Sequence, residues 1–178
     1  MQSLLGGGHL MVPNVTESLS KFRGVVVPRE YGAPLVCWLE EPATQEEIQR
    51  AWPDASLQAE LLTAWTVSRE TWLFVEAKWH QWGLHLLSPI QSAKQTAKER
   101  AERPVGAIRP DDIVVGACVG DLDILVLSPS ETGDRRLLVA VELYERPDWR
   151  PAGCSLGHFL EQYWAAQGDK FWDPTDHV

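Results

Sequence analysis

"DIVVGACVGDLDILVLSPSETGDRRLLVAVELY", Asp112 to Tyr144, decides the fold. Three runs rich in Val, Ile and Leu are separated first by Gly120-Asp121 and then by the turn-forming segment 128–134. Glycine at the first central position of a two-residue turn permits the positive φ that a tight hairpin needs. The stretch therefore predicts three consecutive antiparallel strands.

Helix signals lie on both sides of this meander. Downstream, "SLGHFLEQYWAAQG" places Leu156, Phe159, Leu160, Tyr163 and Trp164 at helical spacing, with Ser155 as cap and Gly168 as stop. Upstream, Ser88, Pro89 and Gln91 combine a capping box with a proline in the first turn. The small apolar positions Ile90, Ala93, Ala97 and Ala101 are expected to form the packed face of that helix, and the rest of "KQTAKERAER" a solvated one. Before it, "TWLFVE" and "WGLHLLS" read as neighbouring strands, with Trp82, Leu84 and Leu86 pointing inward and His85 outward. Thr44 and Glu47 form a second capping box, Pro53 ends that helix, and Leu57, Leu61 and Trp65 mark another starting near Ser56. "RGVVV" and "LVCWL" are short strands around a turn-rich connector. The expected architecture is α+β, a mostly antiparallel sheet with helices packed against it. Residues 1–42 are taken as an N-terminal extension carrying the first short strands, with 1–18 outside the fold and Gly6 to Gly8 as a lead-in; residues 43–178 are taken as the domain.

Bulk properties narrow the function. The chain has 178 residues, enough for one self-standing core, and a net charge of −9, which disfavours nucleic acid and anionic membranes and favours a basic partner. Nine tryptophans imply an aromatic core or surface anchors. Cys37, Cys118 and Cys154 are widely spaced and odd in number, so neither a disulfide framework nor a zinc knuckle is expected; a reducing, cytoplasmic location fits. No run is long and apolar enough to cross a membrane, and "MQSLLGGGHLM" lacks the pattern of a secretory signal.

"LFVEAKWHQWGLHLLSP", "DDIVVGACVGDLDILVLSP" and "PAGCSLGHFLEQYW", in that order, resemble the SUKH superfamily, the Smi/Knr-type domain, over roughly residues 43–172. The hairpin Gly120-Asp121-Leu122 departs from relatives in which a second glycine is frequent. The resemblance implies a binding module of the bacterial immunity-protein branch: an antitoxin of a polymorphic toxin system that neutralises a cognate toxin without enzymatic activity. The alternative it implies is a regulatory protein–protein interaction module.

Residue chemistry points the same way. His80 and His85 are five apart with no further ligands at metal spacing, so no metal site is expected. Asp111, Asp112, Asp121, Asp123, Glu131 and Asp134 read as turn and surface acids, and a metal-dependent hydrolase using Asp121 and Asp123 is the third reading. The cysteines lie in apolar or small-residue contexts, and His158 falls on a helix, so no nucleophile is expected. No catalytic residue, cofactor or metal is assigned. The partner contacts expected are Glu76, Trp79 and His80 on one connection, Asp121 and Asp123 at the hairpin, and Glu142, Tyr144, Glu145, Asp148 and Trp149 after the last meander strand: acids mixed with aromatic anchors.

Overall fold

The structure, a computed structural model, describes residues 13–173; the triple glycine lies outside the described residues. It is α+β. Eight strands, β1 (Val26–Val27), β2 (Leu35–Leu39), β3 (Thr71–Glu76), β4 (Leu84–Leu86), β5 (Ile113–Cys118), β6 (Ile124–Leu127), β7 (Leu137–Ala140) and β8 (Arg150–Gly153), form one sheet in chain order. Every pairing is antiparallel. The helices are α1 (Val15–Ser20), α2 (Gln45–Ala51), α3 (Ala59–Val67), α4 (Pro89–Glu102) and α5 (Leu156–Ala165).

The caps read from sequence are present. Thr44 with Glu47 and Ser88 with Gln91 form reciprocal capping boxes, and Ser155 accepts from the His158 amide at 3.0 Å. The helix expected near Ser56 begins at Ala59, after a Gln58 that makes no side-chain cap bond. The hairpin forms with Gly120 at φ +90°, but its connection spans Val119 to Asp123, longer than the expected two residues. It is closed by Cys118 N–H donating to Asp123 O, and Asp121 Oδ1 accepts from the Asp123 amide at 2.9 Å.

On the inner face, α1, α3 and α5 cover a large core that includes Phe22, Trp65, Leu73, Phe74, Phe159, Tyr163 and Trp172. A bulge opposite Cys37 turns both Leu73 and Phe74 inward, with Phe74 at φ +50° and its amide donating to Cys37 Sγ. Phe74 meets Phe22 and Tyr163 edge-on at 5.6 and 5.4 Å. Gly168 is required here, because a Cβ would stand 2.5 Å from that of Phe74. Leu84 and Leu86 join this core and Trp82 packs on its margin, as the alternation predicts.

The outer face carries a second cluster, Leu87, Ile108, Val114, Ile124, Val126, Leu138, Ala140 and Trp149. Across β2–β4 the outer face holds a ladder instead: Trp38 stacks on Trp72 (5.3 Å) and Trp72 on His85 (3.7 Å), each a cross-strand pair.

Three expectations need correction. First, α4 packs the opposite face from the one expected: Ser92, Thr96 and Glu99 are buried, while Ile90, Ala97 and Ala101 are exposed. The reason is β4, which ends at Leu86 and leaves the Val114 edge of β5 without a strand partner. Ser92 Oγ donates to Val114 O at 2.6 Å and Thr96 Oγ1 accepts from Val114 N–H at 2.9 Å, so two hydroxyls replace the missing ladder. Second, Asp112 is no surface acid. It is 0% exposed and bonded to Arg146 and Ser128. Third, residues 13–42 belong to the sheet and core. β2 pairs with β3, and α1, part of which was set outside the fold, packs against α5 through Val15, Leu19 and a 2.6 Å bond from Ser18 Oγ to Glu161. β8 was also unforeseen.

Candidate functional site

Antiparallel order in a meander has a geometric consequence for function. The connections 28–34, 77–83, 119–123 and 141–149 all leave the sheet at the same end. Glu76 closes β3 at that end, and the other expected partner residues sit on the last three of these connections.

The connections touch one another. A Cβ at Gly120 would lie 2.1 Å from Gln81 O, so 119–123 rests on the backbone of 77–83. Lys170, after α5, pairs with Asp121 and lies over the Trp82 ring at 5.4 Å, tying the same two connections together. Two clefts open along this rim. One, of about 580 Å³, is lined by Arg29, Tyr31, Glu76, Lys78, Trp79 and Trp82. The other, of about 520 Å³, runs between the end of α4 (Glu99, Glu102) and Asp121, Asp123, Glu142 and Leu143.

The residues differ in what they can offer a partner. Trp79 is 67% exposed, with Lys78 Nζ 4.9 Å from its ring, and His80, Asp121, Glu142, Tyr144, Glu145 and Asp148 are also exposed. Glu76 is buried. Its carboxylate accepts the amides of Trp79 (2.6 Å) and Lys78 (3.1 Å), which shapes the connection and holds the carboxyl below its usual range. Asp123 is half-buried, and its carboxyl is raised by burial and by the charge of Asp121 beside it. Trp149 is 1% exposed, so it is a core residue and cannot anchor a partner. Its indole donates to Tyr144 O at 3.0 Å, and the Arg103 and Arg146 guanidiniums flank its ring. Burial of Trp149 is what holds Tyr144 out, 47% exposed.

Three contributors were missed from sequence: Tyr31, Leu122 and Leu143, which are 80%, 65% and 90% exposed. Large apolar residues in turn-rich segments were the available signal. With Trp79 and Tyr144 they make five of the eight large apolar side chains exposed among the described residues.

His80 and His85 lie apart. His85 Nε2 bonds Glu70 at 2.7 Å on the outer face, and burial lowers its pKa despite that carboxylate, favouring the neutral ring that stacks on Trp72. Cys37 and Cys118 are buried, with burial pushing their thiols up to about 11 and about 12. No helix among the described residues is long and apolar enough to cross a membrane. The comparison with known proteins adds no relative: no family model and no curated protein matches this chain.

Proposed function

We propose that this protein is a binding module of the immunity type, which neutralises a cognate toxin by direct, non-enzymatic contact through the rim at one end of its sheet. The observation that carries the reading is the clustering there of Tyr31, Trp79, Leu122, Leu143 and Tyr144, interleaved with Asp121, Asp123, Glu142 and Glu145. Aromatic and large apolar side chains on constrained connections are the groups that anchor interfaces. Acids around them, on a chain of net charge −9, accelerate and orient encounter with a basic surface. The partner is accordingly a toxin domain with a basic binding face. The order of the motifs resembling the SUKH superfamily supports the same assignment.

The test is co-expression with the toxin domain encoded beside this gene. A stable complex on co-purification, together with restored growth, is expected. A neighbour that neither binds nor is neutralised overturns the proposal, and a constitutive complex with a cellular protein instead identifies a regulatory module.

A further inference from the structure

Away from the rim, Asp134, Cys154 and His158 bring a carboxylate oxygen, a thiol sulfur and an imidazole nitrogen within 4.8 Å of one another. It is the one group of three such residues found among the described residues. The fold places each of them for a definite reason. Leu137 pairs with Gly153 across β7 and β8, so the residues just before β7 and just after β8 are neighbours: Asp134, in the 3₁₀ turn Gly133–Arg136, and Cys154. Ser155 then caps α5 by accepting the His158 amide, which fixes His158 on the first turn, four residues beyond Cys154. A Cβ at Gly153 would lie 3.4 Å from His158 Nδ1, so the ring packs directly against the end of β8. That Nδ1 is sealed from solvent and has no hydrogen-bond partner within the described residues, an unmet polar atom beside the thiol and the carboxylate.

We infer that Asp134, Cys154 and His158 form a binding site for a zinc-type divalent cation. A thiolate selects against magnesium and calcium, which take oxygen donors, and a mixed sulfur, nitrogen and oxygen set suits a borderline-soft ion. Zinc bond lengths of about 2.0–2.3 Å in a tetrahedron put donors about 3.3–3.8 Å apart, so side-chain rotation of about an ångström completes the site. Asp134 and Cys154 are exposed, which leaves the fourth position to water and gives the ion an entry path. Cys37 and Cys118, both buried, do not compete for it. None of the rim residues takes part, so this inference stands or falls independently of the toxin-binding one.

Cobalt(II) titrated into the full reduced chain is the test, followed by displacement with zinc. The expected result is one equivalent bound, with a thiolate-to-cobalt charge-transfer band that zinc bleaches. Cys154→Ser and His158→Gln should abolish the band, and Asp134→Asn should weaken binding at least tenfold. Zinc at about a hundred times its dissociation constant should raise the Tm of the parent protein by roughly 5–10 °C and that of Cys154→Ser by nothing. Either the absence of a band at saturating cobalt or a band surviving in both Cys154→Ser and His158→Gln overturns the site. A variant that loses its native circular dichroism is replaced by the other for this reading.

Discussion

The two ends of the sheet are built on opposite principles. At the end where β5 begins and β6 ends, charge is buried and matched: Asp112 accepts from Arg146 and from the Arg109 amide, and Ser128 bridges Asp112 and Arg146, while at the margin half-exposed Glu131 pairs with Arg109 at 3.1 Å. At the other end, aromatic and acidic side chains stand in solvent on connections whose backbones are pinned from beneath. Arg146 joins the two regimes, because it belongs to the connection that leaves from the rim yet folds back over the outer face to reach Asp112. Around Asp112 the polar groups are spent on holding the fold, whereas the rim is held so that its groups remain available.

The largest effect should come from breaking the matched end. Asp112→Ala leaves the Arg146 cation buried without its partner and should cost about 3–5 kcal/mol in chemical denaturation, whereas Asp112→Leu with Arg146→Met should recover most of that loss. A single-variant cost under about 1 kcal/mol would show that the two ends are not so different.

Gly120→Ala tests the pinning of the rim. With φ at +90° and Gln81 O in the way, it should cost about 1–3 kcal/mol and also disturb the 77–83 connection, visible as changed tryptophan fluorescence.

A smaller effect is expected from pH. His85 has a lowered folded pKa, so the unfolded chain binds the proton more readily, and stability should fall as pH drops below the unfolded value of about 6.5. The loss should level off once pH passes below the folded pKa. Thermal melts of the parent and of His85→Gln check this, the variant showing a flatter dependence as pH falls through about 6.5.

The smallest stability effects belong to the rim itself. Trp79→Ala and Leu143→Ser should each change stability by no more than about 0.5 kcal/mol. On the binding proposal, at least one of them should lower partner affinity roughly 30-fold or more in calorimetry, while Trp149→Ala should act through unfolding.

What sequence could tell follows the range of the forces involved. The capping boxes at Thr44 and Ser88, the cap at Ser155 and the β5–β6 hairpin depend on neighbours along the chain, and all were legible. The face of α4 was not, because it answers to a vacancy beside Val114 created by where β4 stops, and no periodicity within α4 records that. β8 was missed because "RPAG" carries neither alternation nor branched side chains; its pairing comes from β7. For the candidate site, the three segments and their mixture of acids and aromatics could be read, but their common end of the sheet required the strand order. Trp149 and Tyr144 were indistinguishable as sequence, and only packing separates the core residue from the exposed one.

The sheet's two outermost strands limit how any partner can attach. β1 is two residues long and runs into Pro28, and β8 carries Pro151, which has no amide to donate. Among the described residues, neither border offers a long row of free backbone groups of the kind an incoming extended peptide would need for strand addition. Such short, proline-marked borders disfavour strand-to-strand pairing with a partner or a second copy and leave side chains as the better means of recognition.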